Sequence, residues 1–136
     1  MLVLVLCMDS RQDGYFMAEK TLGDYSIGHL RIKYLDLANI SFAQNNYTIA
    51  KGYVDDFLDT IDETTTHGKE IKTEFDKIHA RKKHQLTELE KSVQSLGYLE
   101  QKDIQNDGRE SIEINAIHDM KEVCWRIALG NGLFNE

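Results

Sequence analysis

The segment 34–61, YLDLANISFAQNNYTIAKGYVDDFLDTI, constrains the fold more than any other stretch of the chain. It lies where two helical hydrophobic stripes follow one another. Ile27, Leu30, Tyr34, Leu37 and Ser41 recur at spacings of three and four, and Tyr47, Ala50, Val54, Phe57 and Ile61 do the same. That period puts each set on one side of its helix. Between them, Asn45 and Asn46 supply a turn, because asparagine tolerates left-handed backbone and can cap the helix that follows. The expectation is an antiparallel helical hairpin.

The hairpin resembles a single unit of the tetratricopeptide repeat. Tyr34-x2-Leu37-Ala38 stands where that family places an aromatic, a Leu and a small residue on its first helix. Ala50-x3-Val54 stands where it places the small residue of its second. The resemblance implies that Ala38 and Ala50 let the two backbones approach closely. Ser41 replaces the family's aromatic, Val54 replaces its Phe, the closing proline is missing and no second copy follows. Only the hairpin geometry is therefore carried over, and an unrelated antiparallel pair has the same signature.

The rest of the chain points the same way. It contains no proline at all, and long helices exclude proline. The first helix is expected to start near Asp24, with Gly28 as a soft point, and the second to run from Tyr47 to Asp62. A polar link with three threonines follows, ending at Gly68. The third helix, from Lys69 to Leu96, spans roughly 42 Å at 1.5 Å per residue. Its stripe is Ile71, Phe75, Ile78, Leu86, Leu89, Val93 and Leu96, interrupted by Lys82, and Gly97 reads as its stop. Residues 98–108 read as a connector, with Asp107-x2-Glu110 resembling a capping box for a last helix. That helix carries Ile114, Ile117, Met120, Cys124 and Ile127 on one side and ends at Gly130-Asn131-Gly132.

The opening run, MLVLVLCM, lacks the basic start and cleavage site of a signal peptide and is too short to cross a bilayer. It reads as a short extended segment packing on the helices, with Met17 as an alternative natural start. The fold expected is thus all-α: a four-helix assembly built on an antiparallel hairpin, with one long third helix and a short extended N-terminal segment. Residues 1–23 form an apolar run and linker, and 24–136 a single helical domain.

Chemistry is sparse. Asp55, Asp56, Asp59, Asp62 and Glu63 crowd the end of the second helix, the negative end of its dipole, where like charges repel. They are candidates, with Asn39 on the first helix, for docking a basic partner surface; a solvated face neutralised by Lys69 and Lys72 is the plainer alternative. Arg81, Lys82 and Lys83 form one basic cluster, but they spread around the helix without interleaved aromatics. A net charge of −7 disfavours a general nucleic-acid or anionic-membrane binder. Leu86, Leu89, Val93 and Leu96 need cover, either from the last helix folding back or from a second chain. Asp76-x2-His79 and Asn115-x2-His118 lack the glutamates of carboxylate-bridged metal sites. Cys124 lies on an apolar stripe, as a small core residue does. Two cysteines, Cys7 and Cys124, without metal or redox spacing suit a reducing cytosol.

The expected function is accordingly a non-enzymatic protein–protein interaction module, a small acidic adaptor or regulator in the cytoplasm. No catalytic residue, cofactor or metal is assigned. The partner is another protein, or the chain itself in a homo-oligomer such as a dimer built through the third helix; nucleic acid is the weakest alternative, and no membrane partner is expected. Size and acidity suit a bacterial or phage accessory protein.

Overall fold

The computed structural model describes residues 26–136, and every regular element among them is helical. Helix α1 (Ile27–Ala43) opens at Ser26, whose hydroxyl accepts the His29 backbone N–H at 3.4 Å. The expected cap, Asp24, the MLVLVLCM run, Met17 and Cys7 lie outside the described residues. α1 closes in a Schellman turn, in which Asn45 N donates to Phe42 O at 3.0 Å and Asn46 N to Ser41 O at 2.8 Å. Asn45 sits at φ +63°, the left-handed conformation that asparagine tolerates. Asn46 flanks helix α2 (Tyr47–Leu58), but its side chain makes no capping bond, which corrects the sequence expectation. The side-chain bond in this turn belongs to Tyr47, whose hydroxyl donates to Asn45 Oδ1 at 2.7 Å.

The inward side of α2 is the expected one: Ala50, Val54, Phe57 and Ile61 are buried, with Tyr53 beside them. On α1 the stripe is rotated. Arg31, Tyr34, Leu35, Ala38 and Ser41 are buried, while Ile27 is exposed and Leu30 and Leu37 are half-buried. Both series have helical period, so spacing alone does not choose between them. Arg31 tips the choice, because its hydrogen-bond partners all lie on the inner side. Ala38 and Ala50 are both fully buried where the two helices meet.

Helix α3 (Thr66–Ser92) starts at Thr66 rather than Lys69, because the Thr65 hydroxyl accepts the Gly68 N–H at 3.1 Å. It ends at Ser92, and a turn closed by Leu96 N to Val93 O at 3.0 Å leads into helix α4 (Tyr98–Gly130). Gly97 is therefore the residue before α4, not the stop of α3. The expected connector 98–108 is helical throughout, and the Asp107–Glu110 pair lies inside α4. Within it stands Gly108, where a Cβ would fall 2.8 Å from both Leu89 methyl carbons. Glycine marks a close crossing of two helices, not a helix end. The exposed carbonyls of the turn find a donor in Gln101, whose Nε2 reaches Leu96 O at 2.8 Å and Gln94 O at 3.2 Å.

α4 has 33 residues and α3 has 27, about 50 and 40 Å long at 1.5 Å per residue. The third helix is long as expected, and the fourth is longer still. α4 runs back along α3, and its C-terminal half also packs on α1 and α2. One core collects Tyr34, Leu35, Val54, Phe57, Ile71 and Ile78 with Met120, Cys124, Ile127 and Leu133. Leu133 comes from a 3-10 turn (Leu133–Asn135) after α4. Between Ile78 and Ala116 the one buried residue is Val93, and it stands apart from that core. The molecule thus has a body and an arm, the arm being the distal half of α3 and the proximal half of α4 (residues 79–115).

Candidate functional site

At the acidic end of α2, Asp55 and Asp62 are held by their neighbours. Asp55 pairs with Lys51 one turn earlier at 3.2 Å. Asp62 is a turn residue: its Oδ1 accepts from Thr64 N at 2.9 Å and from the Thr64 hydroxyl at 2.7 Å. The Thr64 backbone N–H, and then its hydroxyl, hold the Asp62 carboxyl below the ordinary carboxylate range. Its own carbonyl accepts from the Thr65 hydroxyl at 2.7 Å, so Asp62 helps cap α3. Asp59 is exposed at the rim of an open cleft between α2 and α3, floored by Leu58, Ile61, Ile71 and Phe75. Asp56 is half-buried. Lys72 faces Asp76 at 3.4 Å on its own helix rather than the α2 aspartates.

Asn39 is exposed, yet its Oδ1 accepts from Lys121 Nζ of α4 at 2.8 Å. That ammonium also lies 5.1 Å from the centroid of the Phe42 ring, a cation–π contact. Lys121 is 6% exposed although it is a lysine. Asn39 therefore belongs to the seam that fastens α1 to α4.

The basic cluster is spoken for in the same way. Arg81 binds Asp119 at 2.9 Å, and Lys82 pairs with Glu113, both acids lying on α4. Lys83 is exposed and has no ion-pair partner among the described residues. With Glu74–Arg126 at 3.4 Å, these pairs lace α3 to α4. Lys82, which interrupts the apolar stripe of α3, does so to reach an acid of the facing helix. Such surface pairs contribute about 0–1 kcal/mol each.

Leu86, Leu89, Val93 and Leu96 do not form an open face. α4 folds back along them, leaving Val93 2% exposed and the three leucines half-buried. The apolar surface of the arm lies elsewhere: Tyr98 is 76% exposed, Leu99 73% and Ile104 44%. In the sequence these residues read as part of a connector, where exposed side chains carry no pattern.

The remaining chemistry-bearing residues serve packing. Cys124 is fully buried, and burial, with the charge of Asp55 adding to it, pushes its thiol up to about 12. His118 is exposed and tilts against the Phe42 ring at 5.5 Å, and His79 stands edge-on to Phe75 at 6.5 Å. No group of three or more His, Cys, Asp or Glu side chains converges among the described residues. No helix among them is long and apolar enough to cross a membrane.

Arg31 does not stand out in the sequence. It is 5% exposed and makes four hydrogen bonds that join α1 to the end of α2 and to the 3-10 turn. Arg31 stands three before Tyr34, four before Leu35 and seven before Ala38, but the Ile27-Leu30-Tyr34-Leu37 series has the same period, so spacing does not single it out. Compared with known proteins, the chain matches no family model, no curated protein and no solved structure. Fold and surface together define an all-α protein of two unequal helical hairpins.

Proposed function

We propose that the protein is a non-enzymatic protein–protein interaction module whose partner-binding element is the arm. The observation that carries this reading is the adjacent exposed pair Tyr98 and Leu99, 76% and 73% accessible at the start of α4. Tyrosine is among the side chains enriched at the anchoring points of interfaces, and Leu99 extends the apolar surface of Tyr98. They stand at the end of the molecule farthest in sequence from the buried part of α4, so a partner docks there without disturbing the body. The acidic end of α2 is the second candidate surface, favoured by the exposure of Asp59 beside an apolar cleft.

A photoreactive amino acid placed in turn at Leu99 and at Asp59, in the native host, separates these surfaces. The arm reading expects a discrete adduct from position 99 and none from position 59. An adduct from 59 alone moves the site to the acidic end of α2. An adduct from 99 with the mass of two copies of the chain makes the arm a self-association element. Adducts from neither position contradict the interaction reading.

A further inference from the structure

The segment 133–136 lies against the body much as a peptide lies in a receptor groove. Its anchor, Leu133, is fully buried. Most of its other fastenings are to main chain: Arg31 Nη1 donates to Leu133 O at 3.0 Å, and Gly28 N donates to Glu136 O at 3.0 Å. Arg31 Nη1 also binds the Glu136 carboxylate at 2.8 Å. The guanidinium is held ready by α2, since Nη2 donates to Thr60 O at 2.8 Å and Nε to the Thr60 hydroxyl at 3.1 Å. A Cβ at Gly28 would fall 2.3 Å from Phe134 O, so glycine is what lets the segment's backbone lie on α1. The segment hangs from Gly130-Asn131-Gly132, with Gly132 at φ +69° and open space around both glycines.

We propose that α1 and the C-terminal part of α4, with Arg31 steadied by Thr60, form a peptide-binding slot, that residues 133–136 occupy it in cis as a strap, and that it accepts in trans peptides of the class Leu-x-x-Glu. Packing alone would require only the Leu133 and Phe134 side chains. The slot adds hydrogen bonds to the segment's main chain and a buried arginine that reads a carboxylate three residues after the apolar anchor, a charge-assisted contact to a short 3-10 turn. This site lies on the body, so it goes beyond the arm reading and stands or falls separately from it.

The test uses the full chain and a fluorescein-labelled peptide Gly-Leu-Phe-Asn-Glu, read by anisotropy. Trp125, the single tryptophan, lies 5.0 Å from the Phe134 ring and reports whether the strap is seated. Glu136→Lys places a cation against Arg31 and releases the strap; Leu133→Asp is the second releasing variant. With the cis competitor gone, the peptide binds the released chain on the order of tenfold or more tighter than wild type. Arg31→Met in the same background abolishes that binding, and added peptide restores the wild-type Trp125 emission. The proposal is overturned by a released strap without peptide binding, by binding that survives Arg31→Met, or by Trp125 emission unchanged in both variants. Loss of helical circular dichroism on release also overturns it, because the strap is then an inseparable part of the fold.

Discussion

Body and arm are made from the same two long helices, yet α3 and α4 change character on passing Ile78 and Ala116. On the body side, Ile71 and Ile78 meet Met120, Val123 and Ile127, and α1 and α2 cover them. On the arm side, Leu86 and Leu89 are only half-buried, and the half-buried residues of α4 at helical spacing are Gln101, Gln105, Gly108 and Ile112. The helices remain continuous across the boundary because backbone hydrogen bonds and propensity sustain them. Most of a helix's stability in a protein comes from the packing of an apolar face, however, and the arm has little of it. The difference teaches where this molecule keeps its stability and where it has surface to offer a partner.

The largest test of that contrast pairs two truncations. Phe57 is fully buried in the body, and Phe57→Ala is expected to cost about 3–5 kcal/mol. Leu89→Ala in the arm, at a half-buried position, is expected to cost about 1 kcal/mol. Urea denaturation followed by circular dichroism measures both, and equal losses would erase the distinction between the two regions.

Two glycines sharpen it further. Gly28→Ala drives a methyl to 2.3 Å from a backbone oxygen of the strap, whereas Gly108→Ala meets the Leu89 methyls at 2.8 Å. The strap's backbone moves only by giving up its bonds to Arg31 and Gly28, whereas the end of a leucine side chain can rotate. The first change should therefore cost about 2 kcal/mol. The second should stay within about 1 kcal/mol of wild type, because alanine's helix propensity offsets the strain. Thermal melting of the two variants decides it; a larger drop for Gly108→Ala would place the tighter crossing in the arm.

The smallest expected effect is acid sensitivity located in the body. Hydrogen bonding from Arg31 first, and its charge after it, hold the Glu136 carboxyl below its ordinary range, and Thr64 does the same for Asp62. A carboxyl with a lowered folded-state pKa contributes stability that is present above the unfolded value of about 4 and lost as pH falls through the folded value. Urea midpoints should accordingly decline as pH is lowered from 5 toward 3, and Glu136→Gln should flatten that decline. An unaltered slope in Glu136→Gln would show that the Arg31–Glu136 bond does not couple to folding.

The hairpin was legible in the sequence because its apolar residues keep helical period and its turn carries an asparagine that accepts a left-handed backbone. The register of α1 was not, since Ile27-Leu30-Tyr34-Leu37 and Arg31-Tyr34-Leu35-Ala38 share the same period, and an arginine reads as solvent-facing until its partners are known. The boundary between α3 and α4 was misplaced for a related reason. Asn106-Asp107-Gly108 has the composition of a turn, and only the neighbouring helix explains why a glycine stands there. The acidic and basic clusters were visible as residues, but their partners lie far off in sequence: Arg81 with Asp119, Lys82 with Glu113, Asn39 with Lys121. The exposed pair Tyr98 and Leu99 has no sequence signal of its own, because exposure follows from the three-dimensional course of α4.

The division into a stable body and a thinly packed arm is tested most directly by native-state hydrogen exchange resolved along α3 and α4. Amides within 79–112 should exchange at least roughly tenfold faster than those of residues 116–128 of the same helix pair, an opening free energy lower by about 1.4 kcal/mol or more. Uniform protection along both helices, or slower exchange in the arm, would contradict the account.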